Sequence, residues 1–219
     1  MATPRRILLI NPNSCTATTD MMVAIAAAAI DHRCDIVGAT ATRAPAMIVE
    51  PAALLASAAE VLEIARAHER TCDGLVVAAF GDPGLAEIRA RVSIASVGIG
   101  ESAMIAAAAG GRRFGVASTT PALAAPIDAL PAALGFRAQY TGSRFTEGDP
   151  HDLTADPARL RAALLDAVRA CVQQDGAEAV IIGGGPLGQA AAELQPMLPV
   201  PIIAPIPAAV TRLFGMMTR

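Results

Sequence analysis

Continuous apolar runs alternate along the whole chain with longer segments of helical periodicity. The predicted strands are Arg6–Asn11, Asp35–Val37, Gly74–Ala79, Val92–Val97, Arg113–Ala117, Arg137–Thr141, Glu178–Ile182 and Ile202–Ala204. The predicted helices run from Ser14 or Thr16 to about Ile30, and over Pro51–Ala67, Glu101–Ala109, Pro121–Ala133, Pro157–Gln174 and Ala208–Met216. Uninterrupted apolar strands that are separated by helices predict parallel sheets with both faces covered.

The second half of this pattern repeats the first. Arg5–Asn11 matches Arg112–Ser118, and Cys72–Ala79 matches Ala177–Gly184. We therefore expect an α/β fold of two pseudosymmetric subdomains, the first formed by residues 1–98 with 206–219 and the second by residues 99–205. Ligands of such sheets bind beyond the carboxyl ends of the strands, so we expect one small active-site cleft between the two subdomains.

Composition and charge exclude several classes of protein. The chain has 219 residues and a formal net charge of −3, without a basic patch that would indicate nucleic-acid binding. It has four cysteines and three histidines without zinc-site spacing, so no metal is expected. No apolar run approaches the length of a membrane span. Isolated cysteines favour a reducing compartment, so we expect a cytoplasmic protein.

Four segments that follow predicted strands combine amides, hydroxyls and small residues. They are Asn11–Cys15, Ala79–Gly84, Ser118–Pro121 and Gly183–Gly188. Backbone N–H groups at helix starts and nearby hydroxyls favour a small carboxylate, imide or ureide, whereas no phosphate-binding motif is present. The expected substrate-binding residues are Asn11, Asn13, Ser14, Phe80, Gly81, Ser118, Thr119, Thr120, Gly184, Gly185 and Pro186.

Five blocks in a fixed order carry a family resemblance. They read LLINPNS, AAFGDPGL, GIGESAM, RRFGVASTT and AVIIGGGPLG, and they span Leu8–Gly188. Together they resemble the hydantoin/allantoin racemase branch of the aspartate/glutamate/hydantoin racemase superfamily. The resemblance implies two Rossmann-like lobes, a small anionic or cyclic imide or ureide substrate, no cofactor and a homo-oligomer.

The same resemblance implies two catalytic cysteines that serve opposite faces of the substrate carbon. Ala79 and Gly184 occupy the corresponding strand ends in this chain, and neither side chain can carry a proton. A positioned acid or base is typically worth ~10²–10⁴ in rate. We therefore do not expect the ordinary two-thiol racemase mechanism.

Four interpretations of the function stay open. The first, which we favour, is a cofactor-independent enzyme that works through an enolate or oxyanion intermediate. The second is a lyase, decarboxylase or hydrolase that uses bound water in the space left by the thiols. The third is a small-molecule binding protein without catalysis. The fourth is a hydantoin or allantoin racemase whose cysteines were replaced by engineering.

Three side chains are candidates for the missing acid–base chemistry. Cys15 follows the Asn-Pro-Asn-Ser turn at a predicted helix start, which would lower the pKa of its thiol. Asp82 could exchange protons, although aspartate before proline is also a common turn residue. Tyr140, predicted near the end of a strand, could donate to a developing enolate. Glu101 is expected to interact with the helix dipole at a helix start.

Overall fold

Within residues 5–218, which the computed structural model describes, buried apolar runs form two four-stranded parallel sheets. The first contains β1 (Arg6–Asn11), β2 (Asp35–Thr40), β3 (Gly74–Val77) and β4 (Ala95–Gly98), in the order β2-β1-β3-β4. The second contains β5 (Phe114–Ser118), β6 (Tyr140–Phe145), β7 (Ala179–Gly183) and β8 (Ile202–Ile203), in the order β6-β5-β7-β8. The predicted pair of parallel α/β subdomains is confirmed.

Helices connect the parallel strands, and proline often begins them because its fixed φ suits the first helical position. They are α1 (Thr16–Ala29), α2 (Pro51–His68), α3 (Leu85–Arg91), α4 (Ile99–Ala108), α5 (Ala124–Ala133), α6 (Pro150–Ala155), α7 (Pro157–Gln173), α8 (Gly188–Leu194) and α9 (Pro205–Met217). Asp149 and Asp156 accept backbone N–H bonds at the starts of α6 and α7. Side-chain capping thus reinforces both proline starts.

The chain divides into two compact units. Unit 1 comprises the described residues up to Ser102 together with those from Ile206 onward, and unit 2 runs over Ala103–Pro205. The core of unit 1 joins Leu8, Leu75 and Val77 of its sheet to Val61 and Ile88 of the covering helices. The core of unit 2 is a separate cluster, which includes Ala117, Val180, Ile182, Leu164 and Leu194.

Three short helices and two strand boundaries differ from the predictions. Helices α3, α6 and α8 were not predicted, because six or seven residues give little periodic signal. Val92 caps the end of α3, so β4 begins only at Ala95. Strand β6 begins at Tyr140 instead of ending near it, because its sequence YTGSRF is half-buried and lacks the apolar run used for prediction.

The carboxyl ends of the strands in each unit lie along one edge of its sheet, because all strands are parallel. In unit 1, β1 pairs with β3, with Ile10 opposite Val77, and the Ala78 amide donates to the Ile10 carbonyl over 2.8 Å. In unit 2, β5 pairs with β7, with Ser118 opposite Gly183. The loops after β1 and β3 are therefore neighbours, as are those after β5 and β7.

Candidate active site

The loop after β1 is organised by the buried side chain of Asn11. Its Nδ2 lies 2.8 Å from Asn13 Oδ1, 3.1 Å from the Cys15 carbonyl and 3.0 Å from Thr19 Oγ1, and its Oδ1 accepts the Asn13 amide over 3.1 Å. Asn13 Oδ1 also accepts the Cys15 amide over 3.0 Å. The amide of Asn11 is thus committed to shaping the turn. Within residues 5–218, Asn13 Nδ2 donates to no protein group and stays available to a ligand.

Cys15 stands at the N-cap of α1, where its half-buried thiol forms no capping hydrogen bond with the described residues. The pKa of this thiol is nevertheless lowered, first by the Thr18 hydroxyl and then by the Thr18 and Ala17 amides, because these groups stabilise the thiolate. Burial raises the pKa of Cys34, Cys72 and Cys171. Among the four thiols, Cys15 is the one whose surroundings favour ionisation.

The loop over residues 41–50, after β2, also reaches this edge, although the sequence did not predict it as part of the site. The Ser14 amide donates to the Pro45 carbonyl over 3.2 Å. Buried Glu60 of α2 fixes the loop from below by accepting the Thr42 amide at 2.7 Å and the Arg43 amide at 3.0 Å. The composition of residues 41–50 gave no signal for this role, because the role depends on one long-range backbone contact.

The turn after β3 presents unpaired backbone donors. The Asp82 amide bonds to the Ala79 carbonyl over 3.0 Å and closes the turn. Gly81 has a φ of 121°, and a Cβ there would lie 2.9 Å from Leu54 Cδ2, so the position requires glycine. Within residues 5–218, the N–H groups of Ala79, Phe80 and Gly81 have no protein acceptor. They form a ready set of donors for an oxyanion.

Both carboxylate oxygens of Asp82 accept backbone amides from the first turn of α4. Its Oδ1 accepts the Gly100 amide over 2.8 Å, and its Oδ2 accepts the Glu101 amide over 2.7 Å. Burial raises the pKa of Asp82 to about 7, although these two amides counteract it. The side chain therefore holds the turn against α4, a role that the sequence did not separate from proton transfer.

Asp82 is expected to make the free energy of unfolding fall as the pH rises from about 4 to about 7. Its pKa is about 7 in the folded chain and roughly 3.9 when unfolded, so only the folded state keeps the proton across this window. The stabilisation is complete below the unfolded pKa and is lost as the pH passes the folded pKa. Urea unfolding of wild type and Asp82→Asn at pH 4.5 and 8 measures it. A difference between the two proteins that is the same at both pH values would contradict it.

Glu101 lies in a buried ion-pair cluster of unit 1. Arg89 donates to it through the two terminal guanidinium nitrogens, Nη1 at 2.9 Å and Nη2 at 2.5 Å, and Arg212 of α9 contacts it at 2.5 Å. Burial acts to raise the pKa of Glu101, but the two arginines outweigh burial and hold that pKa below its ordinary value. The carboxylate therefore joins α3, α4 and α9 and is not free to act as a base.

The edge of the second sheet is lined by hydroxyls. Ser118 Oγ donates to the Gly183 carbonyl over 2.8 Å, which ties β5 to β7, and lies 3.2 Å from Thr120 Oγ1. The Thr146 amide donates to the Ser118 carbonyl over 3.0 Å. Thr119 is buried, and within residues 5–218 its hydroxyl and amide have no protein partner. Thr119 is thus the residue of this loop that remains free to bind a ligand.

The strand end after β7 carries a second set of unpaired amides. Within the described chain, the N–H groups of Gly184 and Gly185 have no protein acceptor, and Pro186 lies within a short 3₁₀ turn over Gly185–Leu187. Gly184 has a φ of 156°, and a Cβ there would lie 2.9 Å from Leu187 Cδ1. Leu187 thus fills part of the space expected to be open beside Gly184. Ala79 is half-buried, and its φ is not positive.

Tyr140 lies at the opposite edge of the second sheet from the loops after β5 and β7. It is the first residue of β6 and pairs with Phe114, the first residue of β5, at the amino edge of the second sheet. Its phenol donates to Asp128, and Ser143 donates to the same carboxylate. Burial and Asp128 together raise the pKa of Tyr140. The expected position at the end of a strand was wrong, and within unit 2 Tyr140 lies at the opposite end of the sheet from Ser118 and Gly183.

The described part of the chain has neither a cluster of metal-ligating side chains nor a membrane-spanning helix. Over residues 5–218, no three His, Cys, Asp or Glu side chains gather as metal ligands would. None of the helices in that range combines the length and apolar character required to span a bilayer.

Comparison with known proteins matches nearly the whole chain. A family model described as Asp/Glu/Hydantoin racemase matches residues 7–213. A hydantoin racemase from Rhizobium meliloti is 30% identical over 205 residues, covering 93% of this chain and 85% of that protein. One from Pseudomonas sp. (strain NS671) is 29% identical over 206 residues, covering 94% and 83%. The structure of an allantoin racemase from Klebsiella pneumoniae superposes with a TM-score of 0.91 at 27% identity, covering 98% and 88%.

Proposed function

This chain belongs to the Asp/Glu/hydantoin racemase family, and we propose that it is a cofactor-independent enzyme acting on a small carboxylate, cyclic imide or ureide. The reaction passes through an enolate or oxyanion intermediate and does not use the two-thiol mechanism. Relatives named hydantoin and allantoin racemases support this substrate class. A homo-oligomeric state and a cytoplasmic location stay predictions that accompany the proposal.

One observation carries the proposal, namely the unpaired backbone N–H groups at the strand ends. Phe80 and Gly81 supply them after β3, and Gly184 and Gly185 supply them after β7, each within the part of the chain that the structure describes. Donors fixed before the reaction stabilise a developing oxyanion without reorganisation, and one such donor is typically worth about 10²–10³ in rate. They provide this stabilisation whether or not a thiol stands beside them.

Cys15 is the proposed acid–base group. Its loop and the turn after β3 are neighbours on one sheet edge, so its thiol belongs to the same edge as the Phe80 and Gly81 amides and as Ala79. The thiolate removes the Cα proton and becomes a thiol, while the electron pair of the broken C–H bond forms the enolate. The same thiol returns a proton to Cα. The lowered pKa of Cys15 supports the first step.

A decarboxylase is the second candidate, and the same single thiol favours it. Loss of carbon dioxide from a substituted malonate leaves an enolate without any proton abstraction, so one proton carrier is sufficient to complete the reaction. Proton exchange without loss of carbon dioxide distinguishes the first candidate from the second.

The test uses allantoin, 5-substituted hydantoins and small substituted malonates with the wild-type chain in D₂O. Mass spectrometry reads deuterium at Cα, chiral chromatography reads the stereochemistry, and a thermal shift reads binding by mass action. Deuterium incorporation above the rate without enzyme and without loss of carbon dioxide supports the first candidate, whereas incorporation with loss of carbon dioxide supports the decarboxylase. Thermal stabilisation without any turnover indicates a binding protein instead, and no response to any probe would sink both.

Restoring both thiols is expected to raise racemisation of a hydantoin or allantoin by about 100-fold, the lower range for a positioned acid or base. The variant is Ala79→Cys with Gly184→Cys and Leu187→Ala. The last change removes the atoms that would clash with a new Cβ at position 184. Because a buried Leu→Ala change costs about 2–5 kcal/mol, melting curves must accompany the rates.

The matched control for the restored thiols carries serine at both positions in the same Leu187→Ala background. Serine has nearly the size of cysteine but ionises far less readily near neutral pH. Equal racemisation by the two triple variants would show that the rest of the site no longer supports a two-thiol reaction.

A further inference from the structure

The turn after β3 is joined to the start of α4 by a close-packed contact. Asp82 adopts a φ of 51°, in the left-handed region that aspartate tolerates better than most residues. Its carboxylate lies directly over Gly98, the last residue of β4. A Cβ at position 98 would be 2.1 Å from Asp82 Cγ and 2.2 Å from Oδ1. Only glycine at 98 lets the carboxylate reach the Gly100 and Glu101 amides.

We propose that Asp82 is a positioning residue that aims the free N–H groups of Phe80 and Gly81 at the substrate oxyanion by locking their turn against α4. This inference rests on the proposed function, because it concerns the donors of that site. It also replaces the expectation that Asp82 itself exchanges protons with the substrate.

The hydrogen bonds of Asp82 support positioning over direct chemistry. Each carboxylate oxygen accepts one amide of α4, at 2.8 and 2.7 Å, and the residue is only 8% exposed. The same residue also closes the turn through its own amide, which donates to the Ala79 carbonyl. Side chain and backbone therefore fix the Ala79–Asp82 segment at two points.

The first turn of α4, which donates to Asp82, is itself fixed by other residues of unit 1. The amide of Glu101 donates to Asp82, while the Glu101 carboxylate is gripped by Arg89 and Arg212. Arg89 also donates to the Ser96 carbonyl of β4 at 2.9 Å. The start of α4 is thus anchored to α3, α9 and β4. A shift of Asp82 therefore moves the turn after β3 and leaves α4 in place.

Gly98→Ala tests the proposal without changing any titratable group. The new methyl group displaces the Asp82 carboxylate, and a misplacement of about 1 Å can cost about 100-fold in rate. We expect a loss of about 10- to 100-fold in Cα deuterium exchange at pH 8 with the hydantoin or allantoin probe, together with a raised KM. Asp82→Asn should give a similar loss, because its Nδ2 cannot accept an amide.

Two further variants keep the test decisive. Gly74→Ala places a methyl group in neighbouring β3 at the opposite edge of the sheet, against the flexible ends of Met217 and Leu213. It should leave exchange within about twofold of wild type. Asp82→Ala with Gly98→Ala removes the group that clashes. In this background Gly98→Ala should add no further loss, since the carboxylate through which it acts is gone.

Three outcomes of the kinetic assays would overturn the positioning role. The first is wild-type exchange and KM in Asp82→Asn, and the second is an additive effect of Gly98→Ala on Asp82→Ala. The third is exchange abolished in Asp82→Asn with unchanged probe binding, which would make Asp82 a base. The contact between Asp82 and α4 is also measured without substrate. Hydrogen exchange of the Gly100 and Glu101 amides should become faster in Asp82→Asn, because these amides lose their acceptor. Unchanged protection of these two amides in Asp82→Asn would refute the contact between Asp82 and α4. Lost protection in that variant, together with a wild-type chain that responds to no probe, would refute the proposed function but not this contact.

Discussion

Replacing Cys15 by serine is expected to lower the rate of Cα proton exchange about 100- to 10,000-fold, with little change in probe binding. A hydroxyl does not ionise at neutral pH, so the variant lacks the base while it keeps the shape of the α1 start. The unpaired amides of Phe80 and Gly81 remain, and the probe should still raise the melting temperature. Exchange in D₂O and a thermal shift, measured on the same sample, separate the two effects.

The matched control for Cys15 is Cys72→Ser. Cys72 is buried just before β3, at the amino edge of the first sheet, and burial raises the pKa of its thiol. Its replacement should change stability but leave exchange within about twofold. If Cys15→Ser kept wild-type exchange, a different group would have to carry the proton, and Cys15 would be only the cap of α1.

Replacing Glu101 by alanine is expected to lower the free energy of unfolding by about 3 kcal/mol. Removing one partner of a buried ion pair typically costs about 3–5 kcal/mol, because the other partner is left without its counter-charge. The lower end applies here, since the side chains of Arg89 and Arg212 are 43% and 31% exposed, whereas that of Glu101 is 6% exposed. Urea unfolding at neutral pH measures the change.

Glu63→Ala provides the comparison for Glu101. Glu63 pairs with Arg43 over 2.7 Å, but both side chains are more than half exposed. An exposed pair of this kind is worth about 0–1 kcal/mol, so the variant should unfold nearly as wild type does. A loss below about 1 kcal/mol for Glu101→Ala would mean that the two arginines find other partners or water at little cost.

The sequence predicted the fold well where apolar runs are long and continuous. Strands β1 and β5 end within one residue of their predicted bounds, and the internal match between them corresponds to the same strand order in both sheets. Strand β6 was misplaced because hydrophobic pattern is a weak guide to a half-buried polar strand. The short helix α6 did carry a signal that the periodic pattern missed, since Asp149-Pro150 is a cap-and-proline pair like Asp156-Pro157 at the start of α7.

The candidate site was predictable as a set of strand ends but not as a set of contacts. Sequence position identified the loops that hold Asn11, Cys15 and Thr119, because the parallel strands of each sheet bring their carboxyl ends to one edge of that sheet. It could not show which of their polar groups are already bonded within the protein. That distinction depends on atomic distances, and it turns Asn11 and Asp82 into structural supports while leaving Asn13 and Thr119 free.

Unit 1 is completed only when α9 has been synthesised, after the whole of unit 2. The chain leaves this unit after Ser102, builds the whole of unit 2, and returns only with α9, which brings Arg212 to Glu101 and Leu213 to the side of Gly74. During synthesis from the amino terminus, unit 2 can therefore be complete while unit 1 still lacks its last helix. A nascent chain stalled before Pro205 would lack Arg212, one of the two arginines that pair with buried Glu101, so α9 completes the unit whose synthesis began first.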